Sequence, residues 1–134
     1  MNFAIDHIGI AVMDLEDTLI HYQQDFGFKL EHREKVESQN TEIVFLKAGP
    51  TLIELLAPLS NSGPVAKFIK KRGPGLHHIC YAVDNIVDEL KRLSSLGYKL
   101  IDEVPRAGAH NSLVAFIHPK SCNGVLVELA QRLS

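Results

Sequence analysis

Two histidines and two glutamates stand where a buried strand would rather carry valine. His7 lies in "DHIGIAV" and His78 in "HHICYAV", while Glu54 lies in "TLIELLAP" and Glu128 in "VLVELAQ". Taken singly, each has an ordinary reading. A strand histidine is usually hydrogen-bonded within a core, and a glutamate in an apolar run often ends the strand in water. Taken together they pose a problem of charge. A carboxylate buried without a partner costs several kcal/mol. Two neutral imidazoles and two carboxylates that meet would solve it by holding a divalent cation, for which nitrogen and oxygen donors are suitable ligands.

The positions are related by repetition. A shift of 71 residues lays His7-Ile8-Gly9-Ile10-Ala11-Val12 on His78-Ile79-Cys80-Tyr81-Ala82-Val83. A shift of 70 lays "GFKL" (27–30) on "GYKL" (97–100), and a shift of 71 lays "IVFL" (43–46) on "VAFI" (114–117). At 74, "LIELL" (52–56) meets "LVELA" (126–130), so Glu54 and Glu128 are equivalent. The order is kept and the drift is what loop changes produce, so the chain reads as one module used twice. Module one covers about 1–58 and module two about 75–134. The join, about 59–74, has turn residues at both ends and room for a short helix.

Each module needs the same elements to position these groups. A first strand at about 4–12 alternates two faces. Ile8, Ile10 and Val12 form a bulky face suited to a helix; His7, Gly9 and Ala11 form the other. The second module repeats this with Ile79, Tyr81 and Val83 against His78, Cys80 and Ala82. Small neighbours leave space beside each imidazole. A helix at about 15–25 follows, with Leu15, Leu19 and Tyr22 at helical spacing and Gly27 at its end. Three short strands complete the module, two of them joined by a tight turn at "AGPT" (48–51). The fold predicted is α+β: two βαβββ modules forming an eight-stranded, barrel-like mixed sheet around a central metal site, within a single domain.

Composition excludes other classes. With 134 residues, a net charge of -2 and no polybasic run, nucleic acid and anionic membrane are poor partners. No apolar run approaches the ~20 residues needed to span a bilayer. "MNFAIDHIGI" lacks the features of a secretory signal, so a cytoplasmic protein is expected. Cys80 and Cys122 form no paired framework and read as reduced thiols. His77 points to the face opposite His78 and has no counterpart; His21, His32, His110 and His118 are also unmatched. None of them is given a role.

With these residues in view, the chain resembles the vicinal oxygen chelate superfamily, and within it the methylmalonyl-CoA epimerase family. The stretches that carry the resemblance are "DHIGIAV", "IELLAPL", "PVAKFIKKRGPGLHHICYAVDNI", "LIDEVPRAGAH" and "FIHPKSCNGVLVEL", which cover most of the chain. The resemblance implies a metal held by His7, Glu54, His78 and Glu128, the same four residues that the repeat selects. It implies proton transfer at C2 of an acyl-CoA through an enolate, with Co²⁺, Ni²⁺, Mn²⁺ or Zn²⁺ as the cation and a homodimer as the assembly.

Glu128 is then both ligand and base. A second acid/base is implied in the strand after a Gln-Gly-Val segment, and here the stretch is "SQNTEIVFL". Glu42 is the candidate. If Ala48 pairs with Thr51, however, Phe45 faces Glu54 and Glu42 turns away, unless a bulge intervenes. Ungapped alignment from Gln39 puts Ile43 in that place, leaving a water or another loop residue to return the proton. Lys70, Lys71, Arg72 and Lys120 could meet phosphates but read equally well as solvated loop residues. "HPKSCNG" (118–124) is expected at the mouth of the site. A glyoxalase I type lyase uses the same donors and the same chemistry. An extradiol dioxygenase needs only two histidines and one carboxylate. A metal-free binding protein on this scaffold need keep none of the four residues.

Overall fold

The computed structural model describes residues 3–133. Its elements run β1 (Ala4–Ala11), α1 (Leu15–Ile20), β2 (Lys29–Val36), β3 (Thr41–Ala48), β4 (Thr51–Pro58) and α2 (Pro64–Arg72), followed by β5 (Gly75–Ala82), α3 (Ile86–Ser95), β6 (Arg106–Gly108), β7 (Ser112–Ile117) and β8 (Val127–Arg132). Within the units the eight strands are ordered β2-β3-β4-β1 and β5-β8-β7-β6, each mixed parallel and antiparallel. This is the α+β, eight-stranded arrangement that the repeat predicts, with α2 in the join. Two compact units are present: His7–His77, and the residues before His7 with those from His78 onward. Among the described residues no helix is long and apolar enough to cross a membrane.

In the His7–His77 unit, β1 runs parallel to β4, with Gly9 opposite Glu54 and Ala11 opposite Leu56. The hairpin closes as Ala48 with Thr51, which sets Phe45 against Glu54 and Ile43 against Leu56. One face of these strands therefore carries His7, Gly9, Phe45, Ile43 and Glu54. The other carries Val44, Leu46, Leu55 and Ala57, packed with Val12, Leu15 and Leu19 of the helical side. Asp14 caps α1 by accepting a hydrogen bond from the Asp17 amide at 3.1 Å. After Ile20 the helix widens into a π-helical turn, His21–Asp25, and Gly27 leaves it at φ 75°. The helical segment expected at about 15–25 is thus α-helical only in its first part.

The other unit uses the same devices. Asn85 caps α3 through the Asp88 amide at 3.1 Å. Ile86, Leu90 and Leu93 pack on Ala115, Ile117, Val127 and Leu129. Cys80 lies opposite Glu128 across parallel strands, and Phe116 lies opposite Glu128 on the antiparallel side. In both units the helix covers the face that the histidine and glutamate do not use. Cys80 is buried, and partial burial raises the pKa of the Cys122 thiol.

Leu55 is fully buried directly beside Glu54. Leu55→Ala is expected to cost about 2–5 kcal/mol, read as a lower urea midpoint with an unchanged m-value.

Candidate metal centre

Strand alternation alone delivers the first pair of donors. His7 Nε2 lies 3.4 Å from Glu54 Oε1, with both side chains nearly inaccessible. The Phe45 ring meets the His7 imidazole edge-on at 5.2 Å between centroids. The second pair repeats the arrangement. His78 Nε2 lies 3.1 Å from Glu128 Oε1, again buried, and Phe116 meets His78 edge-on at 5.8 Å. Each unit thus buries one imidazole beside one carboxylate, and all four residues are buried.

This donor set fits a divalent cation. Ligand bonds of about 2.1 Å put adjacent donors about 3.0 Å apart and opposed donors about 4.2 Å apart in an octahedron. The observed 3.4 Å and 3.1 Å match adjacent positions within a few tenths of an ångström. Two carboxylates would neutralise the ion, and each imidazole would offer Nε2. Gly9, Ala11 and Ala82 are the small residues that share the strand faces of the imidazoles.

Glu42 stands elsewhere. It pairs with Ala57 across the sheet, on the face of Val44 and Leu46. Arg33 Nε donates to Glu42 Oε2 at 2.9 Å and also bonds Glu16 of α1. Those carboxylates raise the Arg33 pKa, the Glu16 hydrogen bond most of all. Glu42 therefore ties the sheet to the helix and faces away from Glu54. Ile43 occupies the inward position and is buried.

The unmatched histidines scatter. His77 packs on Phe68 at 4.7 Å, His21 joins the aromatic group of Tyr22 and Phe26, and His118 Nδ1 accepts from the Lys120 amide. His32 is different. The β2–β3 register slips between Leu30 and His32, so His32 sits opposite Phe45 and Glu34 opposite Ile43. Both therefore share the face of Glu54. The sequence reading passed over them because only the bulge at Glu31 puts them there.

The sequence profile of the glyoxalase/bleomycin resistance protein/dioxygenase superfamily matches residues 6–116. The chain belongs to that superfamily. An uncharacterized protein of Bacillus subtilis is 42% identical over 127 residues, covering 95% of this chain and 91% of its own length. An ethylmalonyl-CoA/methylmalonyl-CoA epimerase of Cereibacter sphaeroides is 37% identical over 129 residues, covering 95% of this chain and 96% of its own length. The solved Streptomyces coelicolor methylmalonyl-CoA epimerase in complex with 2-nitronate-propionyl-CoA superposes with a TM-score of 0.93 at 34% identity, covering 98% of this chain and 95% of that one. Members of the superfamily thus include acyl-CoA epimerases that match this chain over nearly its whole length.

A ligated cation stabilises the native state by RT ln(1 + [M]/Kd), about 2.7 kcal/mol at a hundredfold excess over Kd. Chelator-treated protein should melt several degrees higher once Co²⁺ or Mn²⁺ is restored, and Glu54→Gln should abolish most of that shift in differential scanning calorimetry.

Proposed function

We propose that the protein is a divalent-metal-dependent methylmalonyl-CoA epimerase, interconverting the (2R) and (2S) epimers. The observation that carries this reading is the buried set of two imidazoles and two carboxylates in a chain that full-length acyl-CoA epimerases resemble. The ligands are His7, Glu54, His78 and Glu128; the cation is Co²⁺, Ni²⁺, Mn²⁺ or Zn²⁺. The reading includes a cytoplasmic homodimer, which would cover exposed apolar side chains such as Leu76 and Val104, each 75% accessible.

The substrate carries an acidic proton at C2, between a thioester carbonyl and a carboxylate. When bound, the cation supplies Lewis-acid stabilisation for the charge that deprotonation creates on those oxygens. This chain supplies the proton transfer. Glu128 removes the C2 proton, breaking the C–H bond and leaving its electron pair in the enolate. Return of a proton to the opposite face of C2 completes the inversion. His7 and His78 hold their positions by edge contacts with Phe45 and Phe116, so that the donors need little reorganisation.

A glyoxalase I type lyase would use the same donors, and the assay separates the two. Protein with its metal should exchange the C2 proton of methylmalonyl-CoA with D₂O and interconvert its epimers, with EDTA stopping both. It should leave methylglyoxal with glutathione unturned. Turnover of the hemithioacetal without epimerisation would replace this reading with the lyase.

A further inference from the structure

The epimerase reading leaves one partner unnamed, because Glu42 is held by Arg33 on the helical face and Ile43 has no acid/base group. Four observations within the His7–His77 unit bear on it. The bulge at Glu31 turns the strand by one residue. His32 and Glu34 therefore point to the face of Glu54, and Arg33 points to the helix. Bulges are enriched beside active sites, where they re-aim side chains. His32 Nε2 lies 2.7 Å from Glu34 Oε1, with the two side chains 32% and 35% exposed. They are thus half sheltered yet within reach of solvent. Phe45 links them to the centre: its ring is 6.5 Å from His32 and 5.2 Å from His7, centroid to centroid.

Among the described residues, the other unit has no such pair on its edge strand. Its equivalent edge position is Arg106, opposite Val114 as Glu34 is opposite Ile43. Arg106 lies over the Phe116 ring at 5.6 Å. A guanidinium does not give up its proton in a protein. One unit therefore carries a proton-bearing edge and the other a fixed cation.

We propose that His32, oriented by Glu34, is the second acid/base of the epimerisation; this assignment rests on the epimerase reading. In one direction, Glu128 takes the C2 proton, and the electron pair moves into the enolate. The His32 imidazolium then gives its proton to C2 from the other side, forming the new C–H bond. Neutral His32 and protonated Glu128 regain their starting states by exchange with water, so no other reactant is consumed. In the reverse direction the roles exchange. Glu34 is a positioning residue, aligning the ring through the 2.7 Å contact.

The test uses the metal-loaded enzyme, with His32→Gln and His32→Asn as alternative variants and Glu34→Gln beside them. Epimerisation by either His32 variant should fall about 10²–10³-fold. One of the two epimers should still exchange its C2 proton with D₂O near the parent rate, without inversion, because Glu128 remains. Glu34→Gln should lower kcat with KM little changed, and metal content should stay at the parent level in all variants. Epimerisation within threefold of the parent in the His32 variants overturns the assignment. So does exchange of both epimers that falls in step with epimerisation. If the parent itself neither exchanges nor inverts methylmalonyl-CoA, the epimerase reading fails, and this assignment fails with it.

Discussion

Burial of two carboxylates in an apolar strand environment is the constraint on which the rest of the structure depends. Glu54 and Glu128 are each less than 10% accessible; Glu54 stands between Ile53 and Leu55, and Glu128 between Val127 and Leu129. Left charged and alone, either would cost several kcal/mol. A neighbouring neutral imidazole answers only part of that cost, since it offers a hydrogen bond but no full counter-charge. The proposed divalent ion would answer it fully. The buried arrangement also makes the site useful: electrostatic stabilisation of developing negative charge is strongest where water is excluded.

Everything else in the fold can be understood as holding these groups still while leaving space around them. Each helix packs on the face opposite the donors, so the bulky residues go there and the glycine, alanine and cysteine residues go beside the imidazoles. Phe45 and Phe116, each directly opposite a glutamate, brace the histidines. Duplication gives an equivalent histidine–glutamate pair in each unit. The edges of the two units differ: His32 and Glu34 stand in one, Arg106 in the other.

Much of this was legible in the residues. The repeat singled out His7, His78, Glu54 and Glu128 because strand alternation is strict and equivalent positions fall at nearly constant separation. The hairpin register followed from "AGPT", and with it the outward turn of Glu42. His32 was not legible. In "KLEHREKV" no glycine or proline marks the bulge, and without it strict alternation sends His32 to the helical face. The face of that histidine is fixed by how β2 fits β3, which is a tertiary matter.

Cobalt-edge X-ray absorption on the protein loaded with one equivalent of Co²⁺ addresses the central claim most directly. Scattering from two imidazole rings with the remaining ligands oxygen, reduced to one ring in His7→Ala and again in His78→Ala, is the result expected. Absence of bound cobalt, or a spectrum unchanged by either substitution, would contradict a centre built from one histidine and one glutamate of each repeat.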